Sequence, residues 1–107
     1  MKTLFKSYII EIDKHQPNNV YVSKQFGTSD ELPFYYCHKS FRFEMANISV
    51  TNDIFRSIRF EHHFDLLTTL SEFDRYGVKY RVKEITNKVV SIEDVTDKFK
   101  PKELLCL

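Results

Sequence analysis

Between Thr3 and Asp13 the chain alternates. Leu4, Tyr8, Ile10 and Ile12 fall on one side of an extended segment and Phe5, Ser7, Ile9, Glu11 and Asp13 on the other, which is the period of a β-strand. His15-Gln16-Pro17-Asn18-Asn19 then supplies turn residues, and Val20 to Phe26 resumes the β pattern. The two runs predict an N-terminal hairpin. Its loop should exceed two residues, because Pro17 fixes its own φ and biases Gln16 away from helical geometry. Gly27 to Pro33 is the least regular stretch and reads as an exposed loop.

Phe34-Tyr35-Tyr36-Cys37 and Phe41-Arg42-Phe43-Glu44-Met45 favour strands by content, with Phe41, Phe43 and Met45 sharing a face. The apolar positions then switch parity to Ala46, Ile48 and Val50, which predicts a bulge or strand end near Asn47. Thr51, Asn52 and Asp53 each suit a helix cap or a turn, and Ile54 to Phe60 fits a helix or a short strand equally well. From Glu61 to Tyr76 helical spacing takes over. His63, Leu67, Leu70 and Asp74 project in one direction, Leu66 and Phe73 lie beside them, and Phe60 and Phe64 form the other edge. That apolar arc is wide enough to cover a sheet. Gly77 suits the left-handed position that ends a helix, so that a strand can start at Val78.

The strand beginning there has the cleanest alternation in the chain, with Val78, Tyr80 and Val82 on one face and Lys79, Arg81 and Lys83 on the other. Thr86-Asn87 turns it back into Lys88 to Ile92, a C-terminal hairpin. Asp94, Val95 and Phe99 fit a short helix. Residues 101–107 carry three leucines in a terminus that frays unless it docks on its own domain or on a partner. These elements predict an α+β fold: an antiparallel or mixed sheet of four to six strands with one main amphipathic helix packed on one face.

Composition narrows the function classes. At 107 residues the chain fits one compact domain, and its 42% hydrophobic and 29% charged residues are ordinary globular proportions. A net charge of +1 gives no global field toward nucleic acid or anionic lipid. No run of apolar residues is long enough to span a membrane. Lys6 interrupts the apolar residues of the first ten positions, which do not form the core of a secretory signal. Cys37 and Cys106 are few and far apart, so free thiols in a reducing, cytoplasmic setting are expected.

Candidate chemistry is sparse. His62 and His63 beside Glu61 and Asp65 invite a metal or acid–base reading, but adjacent helical residues diverge by about 100° and do not face one another. Cys37-His38 has a nucleophile and a base by composition only, because neighbours in a strand point to opposite faces. A small metal-dependent hydrolase would need these four residues to converge. Paired carboxylates, Glu11 with Asp13 and Glu93 with Asp94, read as solvated charge that protects sheet edges. Two glycines cannot build a phosphate-cradling loop, and no cofactor is implied.

Two surfaces remain. Lys79, Arg81 and Lys83, joined by Arg75 from the helix end and Lys88 from the paired strand, would form a basic patch suited to phosphate contacts. The aromatic-rich middle, Phe34, Tyr35, Tyr36, Phe41 and Phe43, has the composition of a protein interface. The favoured function is a small noncatalytic protein that binds another protein, of inhibitor, immunity or adaptor type, with homodimerisation by strand pairing a further option. Nucleic-acid binding through the basic face is the alternative.

Overall fold

The computed structural model describes residues 6–42, 44–86 and 91–99. It shows an α+β fold: a mixed six-stranded sheet with one main helix on one face. The strands are β1 (Lys6–Ile12), β2 (Val20–Lys24), β3 (Tyr35–Arg42), β4 (Met45–Thr51), β5 (Tyr80–Thr86) and β6 (Ser91–Asp94). Their order across the sheet is β2-β4-β3-β1-β5-β6. The helices are α1 (His63–Tyr76) and the short α2 (Thr96–Phe99), with a single 3-10 turn at Ile54–Arg56. The shortest extent, 19 Å, suits two layers. Among the described residues no helix is long and apolar enough to cross a membrane.

Alternation decides what the sheet buries. β1 pairs antiparallel with β5 along its whole length, placing Ile12 opposite Tyr80, Ile10 opposite Val82 and Tyr8 opposite Glu84. These positions join Phe34, Tyr36, Ala46, Ile48 and Val50 beneath α1, which contributes Leu66, Leu70 and Phe73. The helix therefore buries residues four and three apart on one stripe. Leu67, expected at the centre of the arc, is 47% exposed, and Phe64 is 79% exposed. The stripe is rotated toward Leu66 and narrower than the sequence suggests.

The helix ends as its sequence predicts. Gly77 has φ +75°, its N–H donates to the Asp74 carbonyl, and the Val78 N–H donates to the Phe73 carbonyl. That paired closure satisfies two terminal carbonyls and sends Val78 into the core beside Phe73.

Two pairings differ from the expectation. β2 does not fold back on β1; it lies at the far edge of the sheet, parallel to β4. The reason lies in the connection, which is tied to the end of α1. Gln16 Nε2 donates to the Asp13 and Lys79 carbonyls, its Oε1 accepts from Lys79 N, and Asn19 Nδ2 donates to the Tyr76 carbonyl. The chain is thus led across the end of the sheet instead of reversing on itself. The segment Phe41 to Met45 is not one strand either: Arg42 pairs with Met45, so the chain reverses between them. Phe43 and Glu44 carry none of the Gly, Asn or Asp chemistry that advertises a tight hairpin. The bulge falls between Tyr36 and His38, not near Asn47, which sits inside β4.

Among the described residues β1 and β3 form a single ladder pair, Glu11 with Tyr35, with Ile12 N donating to the Phe34 carbonyl. Beyond that point the strands part, and the chain after the 3-10 turn fills the gap. Tyr8 and Phe60 exchange both backbone hydrogen bonds, at 2.8 and 2.7 Å, and Ile58 N donates to the Tyr36 carbonyl. The ambiguous stretch is therefore a capped turn, with Asp53 accepting from Phe55 N, followed by an extended wedge.

Candidate functional site

Lys79, Arg81 and Lys83 lie on the sheet face away from α1, as alternation requires, because their even-numbered neighbours are in the core. Their charges are not left open. Arg81 Nη1 is 3.1 Å from Asp94 Oδ2, while Lys83 Nζ lies 3.6 Å from the same oxygen and 3.7 Å from Glu11 Oε2. Asp94 is fixed in turn by Thr96, whose N–H and hydroxyl both donate to Oδ1. These donors, with the two cations, hold its carboxyl down at about 2. Glu11 moves the other way: desolvation raises it against the pull of Lys83. Arg75 sits in the last turn of α1, on the layer that covers the opposite face, and Lys88 lies outside the described residues. Of the basic patch anticipated from these five residues, Arg81 and Lys83 thus belong to an alternating charge network, while Lys79 and Arg75 make no ion pair among the described residues.

A cavity of about 630 Å³ opens beside this network, bounded by Asp13, Asp74, Asp94 and Asp97 with Lys79 and Arg81. Asp74 is occupied by the Tyr80 hydroxyl at 2.8 Å. Among the described residues no three His, Cys, Asp or Glu side chains converge as a metal site.

The four residues considered for hydrolytic chemistry take separate partners. Cys37 Sγ donates to the Ser49 carbonyl, and burial raises its thiol, the opposite of nucleophile activation. His38 is exposed on β3. His62 precedes α1 and its side chain makes no capping bond. His63 packs edge-on against Tyr8 and Phe99, its Nε2 3.1 Å from the Tyr8 hydroxyl. Burial, then the hydrogen bond and charge of Glu84, raises the Tyr8 phenol. Which of His63 Nε2 and the Tyr8 hydroxyl donates to the other depends on the His63 tautomer.

The aromatic middle is divided between layers. Phe34 and Tyr36, expected at an interface, are 5% and 3% exposed and belong to the core beneath α1. Tyr36 stacks on Phe60 and meets Phe73 edge-on, and its phenol is pushed up to about 12, chiefly by burial. Phe41 is half-buried and stacked on Tyr76 at 4.7 Å. Lys39, paired with Glu72, sits 5.6 Å from the Phe41 ring centroid. Tyr35 is half-buried on the other face, opposite Glu11 across the β1–β3 contact. Phe43 lies outside the described residues.

Large apolar surface stands out elsewhere. Phe26 is 97% exposed and Leu32 57% exposed in the connection from β2 to β3, while Phe55 in the 3-10 turn is 76% exposed. Asn52 organises this region. Its Oδ1 accepts from the Ser29 N–H at 2.6 Å and from the Ser29 hydroxyl at 3.0 Å, and its Nδ2 donates to the Glu31 and Pro33 carbonyls at 2.9 Å each. The loop is thus held by one side chain. Phe26, Asn52, Asp53 and Arg56 line a concavity of about 410 Å³. Sequence reasoning missed this arrangement, because the reach of Asn52 spans 19 to 23 residues; the one signal was an Asn placed where three successive residues all favour caps and turns.

Comparison with known protein families, with curated proteins and with solved structures finds no match for this chain.

Proposed function

We propose that this chain is a noncatalytic protein that binds another protein through the loop between β2 and β3 and the adjoining 3-10 turn. The observation that carries the reading is Phe26, almost fully exposed on a loop whose backbone is pinned by Asn52. A phenylalanine fixed in water is a cost to the free protein that burial in a partner recovers. Arg56 shares a concavity with it, and Phe55, also largely exposed, lies in the same 3-10 turn as Arg56; aromatic and arginine side chains are the types that anchor interfaces. Pre-ordering of the loop lowers the entropy lost on docking. The aromatic interface expected from sequence thus moves from Phe34 and Tyr36 to residues just before and after them.

The test compares capture by the tagged chain and its variants from the native host, read by mass spectrometry. Phe26→Ser and Phe55→Ser should each abolish retention of the same protein while keeping the wild-type melting temperature. Phe64→Ser, on the outer side of α1, should retain it. A protein held equally by wild type and Phe26→Ser would sink the proposal.

A further inference from the structure

Among the described residues, nothing pairs with the outer edge of β2. In the parallel ladder the Ala46 N–H donates to the Asn19 carbonyl and the Gln25 N–H to the Val50 carbonyl, which turns the main-chain groups of Tyr21 and Ser23 toward β4. Those of Val20, Val22 and Lys24 therefore point away from the sheet. The Val20 N–H is taken by the Pro17 carbonyl. The Val20 carbonyl, both groups of Val22 and the Lys24 N–H have no partner among the described residues. Sheet proteins blunt such edges with charge, proline, bulges or brevity. β6, at the other end, is short and carries Glu93 and Asp94. β2 carries one charge, Lys24, and Asp30 already neutralises it.

We propose that two copies of this chain pair through β2, antiparallel about a two-fold axis at Val22. In that register Val22 faces Val22 of the second copy and exchanges both hydrogen bonds with it. The Val20 carbonyl accepts from the Lys24 N–H across the axis, and the symmetry repeats this bond, so each of the four open groups named above is satisfied. Side chains agree with the register. Val22, half-buried at the rim of the core, meets its own copy on the helix side. Tyr21, 61% exposed, lies over Ser23 and diagonal to the other Tyr21, a separation aromatic rings can bridge. The two Lys24 side chains lie at opposite ends of the ribbon, each beside its own Asp30, so like charges do not meet. β6 paired on itself would crowd Glu93 and Asp94 together. The Phe26 loop begins just past Lys24, but this proposal rests on the main chain of β2 and the other on the exposed ring of Phe26, so the two readings fail independently.

The experiment is sedimentation equilibrium of the full chain over a concentration series, with amide exchange on the same samples. Wild type should dimerise, and the Val22 and Lys24 amides should gain protection in step with the dimer. Val22→Pro removes only the outward donor and leaves the β4 ladder in place; losing two of the four cross-axis bonds should weaken association roughly 30-fold. Tyr21→Lys changes an exposed side chain, puts like charges across the axis, and should also shift the chain toward monomer with its far-UV spectrum unchanged. A wild type that stays monomeric up to about 1 mM overturns the proposal. So does a dimer undiminished by both substitutions, or a Val22 amide protected only when a foreign chain is added.

Discussion

Tyr80 and Asp74 stand on either side of Gly77, and the tyrosine hydroxyl donates to Asp74 Oδ1 across 2.8 Å, tying the start of β5 to the last turn of α1. Burial first, then this hydrogen bond and the aspartate charge, raises the Tyr80 phenol well above its ordinary value. A phenol that holds its proton more tightly folded than unfolded stabilises the fold below pH about 10, and that contribution is lost as pH rises further. Tyr36, pushed up to about 12, acts in the same direction. Alkaline unfolding should therefore begin above pH about 10. Tyr80→Phe should cost about 1 kcal/mol at neutral pH and flatten that alkaline slope, as read by urea denaturation at several pH values.

Gly77 is required for its backbone and not for space. A Cβ there would meet Pro17 Cγ at an ordinary 3.7 Å, but φ is +75°. Gly77→Ala should lower stability by about 1 kcal/mol, and Gly77→Asn should lose less, because asparagine tolerates the left-handed region. Equal losses in the two variants, measured by chemical denaturation, would point to a packing defect instead.

Asp94 makes the stability depend on acid. Its folded value is about 2 against an ordinary 3.8, so the unfolded chain takes up the proton first and the stabilisation is present above pH about 4 and lost as pH falls toward 2. Asp94→Asn should weaken the cap on Thr96 and release Arg81 and Lys83, lowering stability at pH 7 by about 1 kcal/mol. The variant should lose less than wild type on going from pH 5 to pH 2. Glu11, shifted upward, contributes with the opposite sign, so the wild-type minus variant difference is the quantity to follow.

Asn52 should control the loop that carries Phe26. Asn52→Ala removes four hydrogen bonds, all of them exposed, and is expected to cost only about 1 to 2 kcal/mol globally. Amide exchange at Ser29 should accelerate far more than at Ile10. Partner capture should weaken even though Phe26 is untouched, because the entropy of ordering the loop returns.

The elements with strict periodicity were legible from sequence: β1, the strand face of Val78, Tyr80 and Val82, and α1 with its stop at Gly77. Their signals are local and redundant. Strand pairing was not legible, because the partner of β2 is decided by Gln16 and Asn19 reaching the end of α1, contacts across 57 to 63 residues. Phe34 and Tyr36 read as interface residues because composition cannot tell which of two strand faces a helix will cover. The basic face was visible in Lys79, Arg81 and Lys83. Its neutralisation was hidden in Asp94-Val95-Thr96, where a side chain accepting from the residue two positions on fixes the carboxylate that both cations then meet.

The place of β1 between β3 and β5 has a consequence for biosynthesis. β1 leaves the ribosome before the other described strands, yet its main pairing partner, Tyr80–Thr86, follows only after β2, β3, β4 and α1. Throughout translation an apolar segment with Ile9, Ile10 and Ile12 waits with one side open, while β3 and β4 close as a local hairpin. Such a nascent strand attracts chaperones and other unfinished chains. The nascent chain therefore has to keep β1 from mispairing until β5 has been made.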